Sequence, residues 1–257
     1  AVWLRKAAKQ GDARARFEVG LACRCGRGVP RDLTRAAIWF REAAEQGHPG
    51  GQNALGGPLR SGRGLPRDPT GAVAWFRKAA YLGHVAAQRN LGLCLEYGKG
   101  VTRDPDRAVA WYRRAAERAP AYRDVEAAYR LGRCYARGRG VERDAAQATN
   151  WLRQAARAGH ADAALLLGLR YGEGRGVARD VRRASAWLRE AARTGHALAS
   201  SRLRKLVPIA LDELDPEWRA DFIEYDGPHG PQAFALGRLN ALLGRLGPRD
   251  LGEDEGP

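Results

Sequence analysis

The chain has 257 residues, of which 44% are hydrophobic and only 13 are proline, so collagen-like and wholly disordered proteins are excluded. No uncharged apolar run reaches the ~18 residues that a membrane-spanning helix needs. The net charge is +15, which is typical of proteins with acidic partners, although an arginine-rich composition also follows from a GC-rich coding sequence. Residues 208–257 contain 4 basic and 11 acidic residues, whereas residues 1–207 contain 40 basic and 18 acidic residues.

Two sequence features recur with one period along most of the chain. Six of the seven tryptophans are separated by 36, 36, 36, 40 and 36 residues. A glycine-containing motif, GRGVPRD in its first copy, keeps the same intervals. Because two independent features share the period and the same four-residue slip, the sequence predicts a tandem array. The tryptophans are Trp3, Trp39, Trp75, Trp111, Trp151 and Trp187, and the motifs occupy residues 26–32, 62–68, 98–104, 138–144 and 174–180.

A helix is predicted after each of these motifs, and we refer to it as the second helix of its repeat. In the first copy, Ala36, Phe40 and Ala44 belong to one apolar stripe at helical spacing. The aspartate that ends each motif is expected to cap the helix N-terminus, and a left-handed glycine is expected to end the helix. The capping residues are Asp32, Asp68, Asp104, Asp144 and Asp180, and the glycines are Gly47, Gly83, Gly159 and Gly195.

A first helix is predicted before each motif, as in AAQRNLGLCLEYG, where Ala87, Leu91 and Leu95 form the stripe. Every copy also carries a glycine inside this helix, at a cost of roughly 1 kcal/mol relative to alanine. We therefore expect close packing of a neighbouring helix at Gly20, Gly56, Gly92, Gly132 and Gly168.

Two copies depart from the regular pattern. Pro58 lies inside a predicted first helix, where proline costs about 3 kcal/mol, so this helix is expected to be short, kinked or mobile. Residues 118–132 contain the four extra residues, which are close to one helical turn of about 3.6 residues and leave the stripe in register.

The two ends of the chain are less regular. A second helix is predicted from Val2 to Gln10 without a first-helix partner, so the array is expected to extend upstream. After a weak sixth first helix (197–206), two short amphipathic helices are predicted around Trp218 and Leu239. They either cap the array, or they belong to an acidic tail that folds back onto the basic repeats until a partner displaces it. The predicted organisation is a repeat array (1–196), capping helices (197–246) and a disordered acidic tail (247–257).

No catalytic, metal or cofactor site is predicted. His48, His84, His160 and His196 recur after the helix-ending glycines, but none has a second histidine or cysteine at ligand spacing, and zinc needs three or four convergent ligands. We expect each of these histidines to be a polar residue that ends a helix. The G-x-G loops lack the GxxxxGK[ST] phosphate-binding pattern and do not follow a predicted strand. No Ser/His/Asp or Cys/His arrangement can be assembled from the sequence.

The motifs A-x-x-x-L-G-x-x-Y, G-x-G-V-x-x-D and A-x-x-W-[FY]-x-x-A-A-x-x-G resemble those of the Sel-one-like repeat family, which is related to the tetratricopeptide repeats. The resemblance covers residues 1–196 and implies an all-α fold. This fold is a right-handed α/α superhelical solenoid of about five 36-residue helix-turn-helix repeats, to which we add a C-terminal helical cap. It also implies a non-catalytic scaffold or adaptor that binds other proteins, and we expect a monomer.

The cysteines differ from those of some bacterial relatives, which are secreted or periplasmic and carry a disulfide in each repeat. Cys94 and Cys134 occupy equivalent positions on stacked helices, which lie ~8–10 Å apart, whereas a disulfide needs Cα atoms within about 7 Å. Cys23 and Cys25 point to different faces of one helix. We predict four free thiols, mostly buried, which favours a reducing, cytoplasmic compartment, although a lost signal peptide would leave secretion open.

A binding groove is expected on the concave wall formed by the first helices, by analogy with tetratricopeptide repeats. Arginine is frequent there, and its planar guanidinium suits carboxylates, so the expected ligand is an extended acidic or mixed-charge protein segment. The alternatives are a merely solvated face and electrostatic nucleic-acid binding, although no nucleic-acid reader motif is present and the repeated aromatics lie in core-facing stripes. The expected groove residues are Arg14, Phe17, Leu21, Arg24, Asn53, Arg60, Arg89, Leu93, Glu96, Tyr129, Arg133, Arg137, Leu165, Leu169 and Glu173.

Overall fold

The computed structural model describes residues 2–117 and 124–212, and every regular element in these ranges is an α-helix. None of these helices is long and apolar enough to cross a membrane. Most repeats consist of a 13-residue first helix, a glycine-rich loop and a second helix of similar length. The helices are α1 (Val2–Lys9), α2 (Ala13–Cys25), α3 (Leu33–Glu45), α4 (Pro49–Ser61), α5 (Pro69–Tyr81), α6 (Val85–Tyr97), α7 (Pro105–Ala116), α8 (Val125–Arg137), α9 (Ala145–Arg157), α10 (Ala161–Glu173), α11 (Val181–Arg193) and α12 (Ala197–Asp212).

The chain divides into two compact units. The first contains residues up to Ala127 together with Arg139–Val141, and the second contains Ala128–Gly138 and the residues from Glu142 onward. In the first unit, consecutive helices pack on each other along the series α1 to α7. In the second unit, consecutive helices pack on each other along the series α9 to α12. This is the helix-turn-helix repeat arrangement of an α/α solenoid.

Helix ends lie where the sequence predicts them. The side chains of all five loop aspartates accept a hydrogen bond from the backbone N–H three residues later, for example Asp32 from Arg35 at 2.9 Å. Gly47, with a φ of 84°, has the left-handed conformation that ends a helix, and the three equivalent glycines have it as well. The predicted caps are therefore confirmed, and they fix both ends of α3, α5, α9 and α11.

The glycine inside each first helix marks the closest approach between the two helices of a repeat. A Cβ added to Gly92 would lie 2.7 Å from the ring of Tyr112, and one added to Gly168 would lie 2.8 Å from Leu188. Both of these partner side chains are fully buried. The predicted close packing is confirmed, because only glycine leaves room for the large residue that the second helix places in the core.

The expectation for the helix that contains Pro58 is wrong in one respect, because α4 runs from Pro49 to Ser61 and is as long as the other complete first helices. Proline removes one backbone donor. On either side of it, Leu55 and Leu59 are buried at 1% and 8% exposure, and this burial holds the helix between α3 and α5.

The predicted capping helices and acidic tail lie almost entirely outside the described residues. Only α12 (Ala197–Asp212) of the 197–246 segment is described, and it packs on α11. It occupies the position of a first helix in the next repeat, as the weak sixth copy predicts.

Candidate protein-binding surface

The first helices of the first unit lie side by side and form one face. Helix α2 contacts α4, and Asn90 on α6 donates a hydrogen bond of 2.9 Å from Nδ2 to Oδ1 of Asn53 on α4. Leu21, Gly57 and Leu93 occupy equivalent places on the three helices, and all three are half-buried. A Cβ added to Gly57 would meet no atom within 4 Å, so this glycine leaves an open space in the row, at the place where α2 and α6 each carry a leucine.

Several predicted groove residues contact the residue that caps the next first helix. Phe17 lies against the ring of His48 with centroids 4.9 Å apart, and Arg89 pairs with Asp124 at 2.9 Å. In the second unit, Tyr129 is 8% exposed. The expectation that it is exposed is wrong, because the next repeat places the imidazole of His160 on its ring.

A second set of predicted groove residues packs on the second helix of its own repeat. The guanidinium groups of Arg24 and Arg60 each lie 5.7 Å from the ring centroid of a phenylalanine, Phe40 and Phe76 respectively. In the third repeat the equivalent pair is Glu96 and Tyr112, in which the phenol donates a hydrogen bond of 2.7 Å to the carboxylate. The sequence carries a signal for this relation, because an arginine stands 16 residues before each phenylalanine and a glutamate stands 16 residues before the tyrosine.

The remaining predicted groove residues fall into three groups. Arg14 and Arg137 are exposed, and Glu173 is exposed and pairs with Arg175 at 2.7 Å. Arg133 lies over the ring of Tyr129 on its own helix, with 5.4 Å from the guanidinium carbon to the centroid. Leu169 is half-buried, whereas Leu165 is only 6% exposed and belongs to the core of the second unit.

The recurring histidines act at the start of the first helices. His48 Nδ1 accepts a hydrogen bond of 3.0 Å from the backbone N–H of Gly51, and His84 and His160 make the same contact at 3.3 Å. Burial, and secondarily the charge of Arg14, lowers the pKa of His48. His196 differs because its Nε2 lies 3.0 Å from Asp162.

The described part of the chain holds no group of three or more histidine, cysteine, aspartate or glutamate residues that could bind a metal ion. The four cysteines are free thiols, as predicted, but Cys25 is exposed and only the other three are buried.

The architecture and the repeat sequence agree with one family. The sequence-family model of the Sel1 repeat matches residues 2–12, 13–48, 49–84, 85–119, 125–160 and 161–196. The chain belongs to the Sel1 repeat family. Proteins of this family are generally non-catalytic scaffolds for protein–protein interaction.

Solved Sel1 repeat structures resemble this chain closely. A protective antigen of uropathogenic Escherichia coli strains, which has the SLR fold, is 31% identical over 95% of this chain, with a TM-score of 0.77. This chain covers 60% of that antigen's length. A Sel1 repeat protein from Oxalobacter formigenes is 32% identical, with coverage of 77% of this chain and 80% of its own and a TM-score of 0.69.

A more distant Sel1 repeat structure shares the fold alone. It comes from Klebsiella pneumoniae and is 19% identical over 79% of this chain and 97% of its own, with a TM-score of 0.52. No curated protein matches this chain.

Proposed function

We propose that this Sel1 repeat chain is a non-catalytic scaffold that binds an extended segment of another protein on the face formed by α2, α4 and α6. Family membership supports the class of function. The side-by-side packing of the first helices supports the choice of face, because Leu21, Gly57 and Leu93 occupy equivalent, half-buried places along it.

The open space at Gly57 carries the proposal. Glycine inside a helix costs roughly 1 kcal/mol relative to alanine, and at Gly57 no neighbouring atom explains its presence. The space lies in the row between Leu21 and Leu93, so an apolar side chain of a bound segment can be buried there against apolar neighbours. Arg14, exposed on α2, would attract acidic residues elsewhere in the same segment.

The test compares two variants that each add one carboxylate. Gly57→Glu fills the space on the proposed face, and Ala74→Glu places the same side chain at an exposed residue of the second helix α5. The wild-type chain, immobilised as bait, is first used to isolate a partner, and its affinity for all three chains is then measured by titration calorimetry. We expect Gly57→Glu to abolish binding and Ala74→Glu to preserve it.

Two results would contradict the proposal. Equal affinity of the two variants would place the partner elsewhere on the chain. Retention of nucleic acid alone, with affinity that falls steeply as salt is added, would favour the electrostatic alternative.

A further inference from the structure

Seven arginines are concentrated around two consecutive loops of the first unit. Residues 24–35 and 60–71 together contain these seven and only two acidic residues, Asp32 and Asp68. Six of the seven arginines are exposed and Arg60 is half-buried. We call this set the loop arginine cluster, and it consists of Arg24, Arg27, Arg31, Arg35, Arg60, Arg63 and Arg67.

The second loop packs on the residues that directly follow the first loop. A Cβ added to Gly64 in the second loop would lie 2.6 Å from the carbonyl carbon of Leu33 and 3.0 Å from the backbone nitrogen of Thr34, which follow the first loop. Each loop is also tied to its own first helix, because the backbone N–H of Asp32 donates to Cys23 at 2.9 Å and that of Asp68 to Leu59 at 2.8 Å. The cluster is therefore carried on loops that are held to their own first helices, and the second loop also packs on the start of α3.

The charge of the cluster is not neutralised within the part of the chain that the structure describes. Asp32 and Asp68 are engaged as helix caps, through Oδ1 and the backbone N–H of Arg35 and Gly71. None of the seven arginines forms an ion pair with a described carboxylate.

The third repeat shows the contrast. Its equivalent residues, 96–107, contain three basic and three acidic side chains, and Arg107 pairs with Asp104 at 3.0 Å. In the second unit the corresponding loop at 174–180 is flanked by the pairs Arg175–Glu173 and Arg183–Asp180, at 2.7 and 3.4 Å. The first two loops thus differ from the third and the fifth, where arginine–carboxylate pairs are present.

We propose that the loop arginine cluster is a second binding surface that takes an acidic, extended segment of a partner protein. Guanidinium groups bind carboxylates with two parallel hydrogen bonds, and fixed loops reduce the ordering that such contacts require. Residues 24–35 and 60–71 contain no aromatic side chain on which a nucleic-acid base could stack, which favours a protein ligand. This surface lies at the loops, whereas the proposed function concerns the row of Leu21, Gly57 and Leu93.

The experiment compares two double variants, each of which removes two positive charges from the same two repeats. One variant changes the loops and the other changes the second helices. Arg27→Gln with Arg63→Gln changes equivalent residues of the two loops, chosen because neither side chain packs on an aromatic ring. Arg41→Gln with Arg77→Gln, at exposed equivalent residues of the second helices α3 and α5, is the matched control. The 257-residue chains are titrated into a fluorescein-labelled peptide in which glutamate alternates with glycine and serine, and anisotropy is recorded at low ionic strength.

We expect the loop pair to weaken peptide binding about tenfold and the control pair to weaken it less than about twofold. Equal weakening by the two pairs, or no binding of the peptide to the wild-type chain, would overturn the proposal. A single-stranded oligonucleotide of equal charge that binds more tightly than the peptide would also overturn it, since the surface would then favour nucleic acid. The Gly57→Glu chain should bind this peptide as the wild type does, which separates failure of this surface from failure of the first-helix face.

Discussion

The ring of Tyr129 stacks on the imidazole of His160, with the centroids 4.2 Å apart and the planes 24° from parallel. In the first unit, Phe17 has the same relation to His48, and Arg89 has it to Asp124. In each case a residue one turn into a first helix meets the residue that caps the next first helix. This contact joins successive repeats and adds to the packing of each second helix on the next first helix.

The Arg89–Asp124 contact predicts a graded loss of stability. Asp124 accepts two hydrogen bonds from Arg89 and one of 2.8 Å from the backbone N–H of Ala127, and its side chain is only 8% exposed. Asp124→Asn keeps a capping oxygen and loses the charge, whereas Asp124→Ala loses both. We expect chemical denaturation to show a loss of about 1 kcal/mol for the first and about 2–3 kcal/mol for the second. Equal losses would mean that the cap and the ion pair do not contribute separately.

The same contact excludes a simple test of the groove by charge reversal at Arg89. A glutamate there would face the carboxylate of Asp124 and weaken the junction between repeats, whether or not Arg89 touches a partner. Reduced partner binding by such a variant would therefore not identify the binding face. Gly57→Glu avoids this difficulty because its side chain enters open space.

The histidine cap at His48 predicts that the chain loses stability on mild acidification. Its Nδ1 can accept the N–H of Gly51 only while it is unprotonated, and burial, with Arg14 as the next cause, lowers the pKa of His48 from 6.5, while Asp12 and Glu18 oppose the shift. A histidine with a lowered pKa stabilises the folded state fully above 6.5, and this contribution is lost as the pH falls through the lowered value.

The control for this prediction is His48→Asn, whose amide oxygen caps the helix without titrating. Melting temperatures of both chains are measured between pH ~7.5 and ~5, a range that spans the ordinary pKa of histidine. We expect the melting temperature of the wild type to fall about 2 °C further than that of His48→Asn. The other histidines and all carboxylates are common to both chains, so parallel curves would show that His48 does not contribute.

The fold was predictable because its signals are local and periodic. The capping aspartates and the glycine that admits a core side chain recur once per repeat, the left-handed glycines recur in four repeats, and each acts through its nearest neighbours. The burial of Tyr129 was not predictable in this way. Helical spacing identifies which side of a first helix a residue occupies, but it does not reveal that the cap of the following repeat covers that side.

The helix α4 illustrates the second limit of sequence reasoning. Intrinsic propensity argues against a helix with Pro58 and four glycines among its residues, yet the burial of Leu55 and Leu59 overrides it. Sequence alone also does not distinguish the environments of the adjacent residues Gly56 and Gly57. Gly56 lies against Phe76, whereas Gly57 faces open space.

The cysteines predict a single fast reaction with thiol reagents. Cys25 is exposed, whereas Cys23, Cys94 and Cys134 are buried. Burial raises the pKa of the Cys94 thiol, and the nearby Arg60 only partly offsets this, so its reactive thiolate is scarce near neutral pH. In the native chain we expect a chromogenic disulfide reagent to modify one thiol rapidly and the other three only on unfolding. Cys25→Ser should remove the fast phase, and a fast phase that persists in this variant would contradict the assignment.

The adjacent residues Gly56 and Gly57 predict opposite effects of the same substitution. At Gly56 an added methyl group would overlap the ring of the fully buried Phe76, so Gly56→Ala must displace a core side chain, with an expected loss of about 2–3 kcal/mol. At Gly57 the methyl group meets nothing within 4 Å, and the helix gains roughly 1 kcal/mol because alanine replaces glycine. Chemical denaturation of the two variants beside the wild type measures both effects. If Gly57→Ala stabilises the chain as expected, the wild-type glycine costs stability without a packing reason, which agrees with a space kept open for a partner. If Gly57→Ala destabilises the chain, the space is occupied in solution, and the proposed binding face loses its main support.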